Sequence, residues 1–123
     1  TKSKEKIMLE REVYDTITYC ANEKCAIVWV TLDMLKSLNI GEDEIEGLAS
    51  IPRQIEGVLI GITMKEKEGG FFKISVRTNG DIDAAKFCSK FGGGGHKAAA
   101  GCSVNGSLED VRSQLIKAAE ETL

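Results

Sequence analysis

The chain has 123 residues, 28% of them charged and 42% hydrophobic, with a formal net charge of −3. This length is typical of a single domain, and the composition excludes disordered, collagen-like and low-complexity chains. The acidic balance argues against a surface that holds long nucleic acid through many phosphates, because such surfaces are basic. No apolar run reaches the length of a membrane span and the polar N-terminus lacks a signal-peptide core, so we expect a cytoplasmic protein without a membrane partner.

The first half of the chain predicts two strands and a short helix. Residues 1–15 are expected to be a charged lead-in. Residues 16–19 and 26–30 read as strands joined by a polar turn. Thr31 can cap a short helix whose apolar residues recur at helical spacing, at Leu32, Leu35 and Leu38. The acidic stretch at 42–44 leads into a second short, weaker helical segment, which is predicted to end near Pro52.

A hairpin is predicted in the middle of the chain. Residues 57–64 alternate in hydrophobicity, and a Glu-Gly-Gly turn leads into residues 71–78. The apolar residues of the second strand share the core face, which leaves Lys73, Ser75 and Arg77 on the opposite face. A half-solvated strand alone explains such an alternation, and we keep that interpretation for Lys73.

The last third of the chain predicts a helix, a strand and a second helix. Asp81 is the expected N-cap of the first helix, which the glycine run ends. Residues 98–104 predict the last strand, and Ser107 with Asp110 three residues later begins the final helix. Together the elements predict one α+β domain over residues 1–123, with a mixed sheet of about five strands and three to four helices.

Metal binding is not expected from this sequence. The four cysteines are spaced too irregularly for a zinc site, at Cys20, Cys25, Cys88 and Cys102. Buried free thiols are expected instead, with the first two in contact across a turn. The Asp81 and Asp83 pair is better explained by a helix start than by a metal.

The segment over residues 91–102 reads Phe-Gly-Gly-Gly-Gly-His-Lys-Ala-Ala-Ala-Gly-Cys. Glycine permits positive φ at a high ordering cost, so four in a row favour close backbone approach or an anion-binding nest of N–H groups. His96 can donate a ring N–H to a phosphate, and Lys97 adds a positive charge. The spacing matches neither a Walker loop nor a dinucleotide fingerprint, and a flexible surface loop is the alternative.

This glycine-histidine segment, with Ile-Ser-Val-Arg-Thr at 74–78 before it, resembles the C-terminal, DHH-associated domain of Asp-His-His phosphoesterases. The most similar branch is that of nanoRNases and 3′-phosphoadenosine 5′-phosphate phosphatases, and the resemblance covers nearly the whole chain. It implies an N-terminal lobe with two manganese or magnesium ions and a C-terminal lobe that grips the phosphate of a short oligonucleotide or nucleotide. Carried over by position, the substrate-binding residues are Ser75, Arg77, Gly93, Gly94, Gly95 and His96.

The sequence departs from the complete family pattern because it has no Asp-His-His triplet and only one histidine. Several His and Asp ligands are needed for a two-metal centre, so no catalytic or metal-binding residue is expected here. We therefore expect the substrate-binding half of a phosphoesterase, inactive alone, with the N-terminal lobe as its partner. Two alternatives stay open: an RNA-binding module similar to the C-terminal domain of alanyl-tRNA synthetases, and a structural or homodimerising domain.

Overall fold

A computed structural model describes all residues, 1–123. The helices are α1 (Lys4–Tyr14), α2 (Leu32–Ser37), α3 (Ala84–Ser89) and α4 (Leu108–Thr122). The strands are β1 (Thr18–Cys20), β2 (Cys25–Val30), β3 (Ile60–Lys67), β4 (Phe71–Thr78), β5 (Gly94–Gly95) and β6 (Ala99–Asn105). Three short 3-10 turns lie between α2 and β3, at Glu42–Glu44, Leu48–Ser50 and Pro52–Gln54. No helix combines the length and the hydropathy needed to cross a bilayer.

All strands form one mixed sheet in the order β1-β2-β3-β4-β6-β5. β2 and β3 run parallel, and every other neighbouring pair is antiparallel. The predicted α+β class and the central hairpin are confirmed. The sheet has six strands rather than about five, because Gly94 and Gly95 add a two-residue strand at one edge. Glycine is depleted in strands, so the sequence pattern does not predict this strand.

Helices pack against both faces of the sheet. One core cluster, which includes Ile62, Ile74 and Leu115, joins one face to α3 and α4. A second cluster, which includes Leu9 and Val28, joins the other face of β2 to α1, α2 and the 3-10 turns. On that second face the side chains of β4 and β6 stay exposed or half-buried. We call this uncovered part of the sheet, formed by the outward residues of β4 and β6, the open half-face.

The charged lead-in is in fact a helix, and the expected second helical segment is not one helix. The side chain of Ser3 accepts a hydrogen bond from the N–H of Lys6 (3.0 Å) and so begins α1. Only Leu9 and Val13 of α1 are buried, while the apolar side chains of Ile7 and Met8 are exposed, so the apolar residues do not mark one helical face clearly. In place of that segment, residues 42–54 contain three separate 3-10 turns, each three residues long.

Helix α3 begins at a different acid from the one predicted. The Asp83 carboxylate, and not that of Asp81, accepts the N–H of Lys86 (3.1 Å). The helix is therefore shorter than expected, and Phe91 lies beyond its end at Ser89. The predicted cap of α4 is confirmed, since the Ser107 hydroxyl accepts the N–H of Asp110 (3.2 Å).

We expect Asp83→Ala to lower the free energy of unfolding by about 1 kcal/mol, because it leaves an N-terminal N–H of α3 without its cap. Urea unfolding followed by circular dichroism measures this change. Asp81→Ala is the matched control, since Asp81 is exposed and caps nothing, and it should alter stability by less than about 0.5 kcal/mol. Equal losses from the two variants would contradict the assignment of the cap.

Candidate phosphate-binding site

Arg77 and Ser75 lie on the open half-face, and no carboxylate neutralises the arginine. Both side chains are half-buried. The guanidinium of Arg77 donates only to the carbonyl of Val76 (3.2 Å) and forms no ion pair. Ser75 lies two residues away on the same face, opposite Gly101 of β6. The confirmed alternation of β4 therefore presents a free guanidinium and a hydroxyl side by side.

The first half of the glycine run closes helix α3. The N–H groups of Gly92 and Gly93 donate to the carbonyls of Ser89 (3.1 Å) and Cys88 (3.0 Å). Gly92 has a φ of +79°, which a residue with a side chain rarely adopts. These two N–H groups are used within the protein, so they do not supply donors to an anion nest.

The second half of the run forms the edge of the sheet and leaves its donors free. His96 and Ala99 exchange both backbone hydrogen bonds (2.8 and 3.3 Å), with Lys97 and Ala98 as the turn between them. Antiparallel pairs alternate between bonded and non-bonded, so the N–H of Gly95 points away from β6 to the open edge. The N–H groups of Lys97 and Ala98 also donate to no protein acceptor. Three free N–H groups thus surround His96, which is exposed.

The glycine edge approaches β6 more closely than a side chain allows. A Cβ on Gly93 would lie 2.6 Å from the Cβ of Cys102 and would also collide with the carbonyl of Gly101. A Cβ on Gly95 would lie 2.7 Å from the Cα of Ala100. Both distances are below any ordinary carbon contact, so these two glycines are required by packing.

Backbone hydrogen bonds hold the His96 turn beside Arg77. The Lys97 carbonyl accepts the N–H of Ala84 (2.6 Å) and the hydroxyl of Thr78 (3.1 Å), and the Ala98 carbonyl accepts the N–H of Thr78 (3.0 Å). Thr78 is the residue after Arg77, and Ala99 is the cross-strand partner of Arg77. The turn, the strand arginine and the glycine edge therefore meet at one corner of the sheet.

The predicted site residues fall into two groups. Ser75, Arg77, Gly94, Gly95 and His96 lie at this corner. Gly93 lies beneath them, packed on Cys102, with its N–H already used. The free N–H groups of the turn were missed at the level of sequence, because only the hydrogen-bond pattern shows which amides lack an acceptor.

Two concavities, of about 510 and 460 Å³, lie away from the corner: one between α3 and the end of α4, the other beside the N-terminal end of α1. The corner itself lies at the edge of the sheet on the open half-face. A ligand at the corner is therefore contacted from one side only by this chain.

The cysteines form two pairs, and both are core contacts. Cys20 and Cys25 are cross-strand partners, as expected, whereas the contact between Cys88 and Cys102 was not predicted. All four thiols are free; Cys25, Cys88 and Cys102 are buried as expected, whereas Cys20 is half-buried. Hydrogen bonding to Cys102, together with burial, raises the pKa of Cys88 above its usual range. A thiol held protonated in this way is a packing group and a poor nucleophile.

The donor set of this chain does not fit a two-metal centre. No group of three or more His, Cys, Asp or Glu side chains comes together anywhere in the structure. Two catalytic ions need several such ligands around a shared site. No catalytic step is therefore assigned to metals held by this chain.

Comparison with known proteins gives related sequences and folds. Over 83 residues, 67% of this chain, it is 30% identical to the bifunctional oligoribonuclease and PAP phosphatase NrnA of Thermus thermophilus, of which it spans only 25%. An exopolyphosphatase-related protein of Bacteroides fragilis matches 98% of the chain with a TM-score of 0.86 and 23% identity, and the chain covers 36% of it.

Two further solved structures share the fold at 15% identity. The pGpG-specific phosphodiesterase PggH of Vibrio cholerae matches 98% of the chain with a TM-score of 0.65, and the chain covers 40% of it. The C-Ala domain of alanyl-tRNA synthetase from Aquifex aeolicus matches 86% of the chain with a TM-score of 0.55, and the chain covers 95% of that domain. The model of the DHHA1 domain matches residues 22–123, and the chain therefore belongs to the DHHA1 domain family.

Proposed function

We propose that this chain is the substrate-binding lobe of a DHH-family phosphoesterase and grips a phosphate of a short oligonucleotide or nucleotide. The observation that carries the proposal is the corner where unpaired Arg77 meets the three free N–H groups around His96. A guanidinium and free backbone amides are groups that bind phosphate with directed hydrogen bonds. In an acidic chain, such a site holds its ligand by a few placed contacts and not by a general positive field.

The proposed division of labour follows from the shape of the site. The corner contacts a ligand from one side, so a second lobe is needed to enclose it. In the proposed parent protein an N-terminal lobe carries the Asp-His-His motif and the manganese or magnesium ions that supply the nucleophile. This chain binds and orients the phosphate with Ser75, Arg77, His96 and the glycine edge of Gly94 and Gly95, which Gly93 holds against β6. Alone, it hydrolyses nothing.

A related sequence supports the class of substrate. The Thermus relative is named as an oligoribonuclease and PAP phosphatase, and the Vibrio structure as a pGpG-specific phosphodiesterase. Each of those ligands presents phosphate on a nucleotide, which is the chemistry that the corner offers to bind. The chain spans a quarter of the first and 40% of the second, so their activities enter only as part of this proposal.

An RNA-binding module is the second candidate, supported by the fold shared with the alanyl-tRNA synthetase domain. That role predicts tight binding to a folded RNA such as tRNA and weak binding to nucleotides. The role of a phosphoesterase lobe predicts weak binding to tRNA and tighter binding to nucleotides. Titration of the 123-residue chain with tRNA and with 3′-phosphoadenosine 5′-phosphate, at one stated salt concentration, separates the two.

His96→Ala should weaken the affinity for 3′-phosphoadenosine 5′-phosphate about fivefold, the loss expected for one hydrogen bond of roughly 1 kcal/mol. The dissociation constant is measured by NMR titration of the isolated chain. His96→Gln retains a side-chain N–H donor and should recover part of the loss. An unchanged affinity in His96→Ala would show that the imidazole ring of His96 does not contribute to ligand binding.

A further inference from the structure

Two lysines face each other on the second face of the sheet without any neutralising partner. Lys65 of β3 is the direct cross-strand partner of Lys73 of β4, and Ser103 of β6 continues the same row. Neither ammonium group forms an ion pair with the protein. Like charges placed directly opposite in an antiparallel pair destabilise it. The arrangement therefore costs the fold stability.

Two acidic side chains with contacts in this part of β3 already have partners. Glu42 pairs with Lys67 (3.0 Å). Glu66, next to Lys65 in β3, accepts the N–H of Leu32 at the start of α2 (2.9 Å). The chain has 19 acidic and 16 basic side chains, yet no carboxylate forms an ion pair with Lys65 or Lys73. The local charge is thus opposite in sign to that of the whole molecule.

The lysine pair and Arg77 belong to one positive surface. Burial lowers the pKa of Lys65, and repulsion from Lys73, Lys67 and Arg77 lowers it further. Lys73 and Arg77 are both outward residues of β4, four positions apart, and Ser75 lies between them. Their Cα atoms are therefore separated by about 13 Å along the strand.

We propose that Lys65 and Lys73 form a second anion-binding subsite, which takes another phosphate of the ligand whose terminal phosphate lies at the Arg77 corner. This inference rests on the proposed function. We expect the two phosphates of a nucleoside bisphosphate, which are attached to one ribose, not to reach from the corner to the lysine pair. A single-stranded oligonucleotide of several residues does, with its backbone running along β4 past the Ser75 hydroxyl. The lysine pair thus favours oligonucleotides of several residues over single nucleotides.

The test compares two ligands and three variants of the 123-residue chain by NMR titration over a range of salt concentrations. The ligands are 3′-phosphoadenosine 5′-phosphate and a 5′-phosphorylated tetra-adenylate RNA. Lys65→Met/Lys73→Thr removes the subsite and keeps much of the side-chain bulk. Lys86→Met/Lys117→Met is the control, since it changes the net charge equally on α3 and α4, which cover the other face. Arg77→Ala tests the corner itself.

We expect the Lys65/Lys73 variant to bind the tetranucleotide about tenfold more weakly and the bisphosphate with unchanged affinity. For the tetranucleotide, the fall of log affinity with log salt concentration should be less steep by about 1.4. Its thermal midpoint should rise, because a repulsive pair is removed. The subsite would be overturned if this variant and the control bound the tetranucleotide with the same affinity and the same dependence on salt concentration. If instead Arg77→Ala changes neither affinity, or neither ligand binds, the proposed function fails and the subsite fails with it.

Discussion

Gly93→Ala is expected to lower the free energy of unfolding by about 2–3 kcal/mol, the cost of forcing a methyl group into a packed site. The new Cβ would lie 2.6 Å from the Cβ of Cys102 and 2.8 Å from its Cα, and it would collide with the Gly101 carbonyl. Backbone atoms of β6 cannot rotate away as a flexible side chain would. The glycine edge must therefore shift outward, and we expect the hydrogen bond from the Gly93 N–H to the Cys88 carbonyl to weaken.

Gly94→Ala is the matched control, one residue away in the same run. A Cβ on Gly94 would meet no atom within 4 Å, and its φ lies outside the left-handed region. Its effect on stability should be less than about 0.5 kcal/mol. Urea unfolding monitored by circular dichroism measures both variants. Equal stabilities of the two alanine variants would show that the glycine edge is a loose loop and not a packed strand.

Arg77→Ala should weaken the affinity for 3′-phosphoadenosine 5′-phosphate by roughly 30- to 150-fold, because a bidentate, charge-assisted contact contributes about 2–3 kcal/mol. Stability should not fall, since the guanidinium makes no ion pair in the fold. Removing a positive charge near half-buried Lys65 relieves repulsion instead. NMR titration gives the affinity, and thermal unfolding of the same samples gives the stability.

Arg77→Lys separates charge from geometry at this position. Lysine retains the positive charge but lacks the planar fork that binds two phosphate oxygens. Its affinity should therefore lie between those of the wild-type chain and Arg77→Ala. If Arg77→Ala binds the nucleotide as tightly as the wild type, the side chain is an ordinary solvated strand charge and the corner is not the phosphate site.

Most of the fold is predictable because its strongest signals are local. The alternation of hydrophobic and polar residues along β4 determines which side chains share a face, and this pattern alone predicts that Ser75 and Arg77 point outward, as they do. The cap at Ser107 and the apolar period of α4 are equally local. Helix α1 lies in a segment where charged residues dominate, so its apolar period is weak. The N-cap of α3 is ambiguous for another reason: Asp81 and Asp83 are equally suitable acids two positions apart.

The missed features of the site depend on partners distant in sequence. Whether a glycine N–H is free depends on which carbonyl faces it, and the N–H groups of Gly92 and Gly93 turn out to be used by α3. The pattern of β4 alone predicts a solvated Lys73, because it does not show that Lys65 lies opposite. Only the register between β3 and β4 shows that the two lysines are cross-strand partners.

The most direct test of the phosphate corner is the map of ¹H–¹⁵N chemical-shift changes when 3′-phosphoadenosine 5′-phosphate is added to the 123-residue chain. The largest changes should fall on the amides of Ser75 and Arg77 and of residues 94–99, with little change in α1 or α4. Shifts concentrated at the concavity between α3 and α4, or no saturable shift at all, would contradict the account.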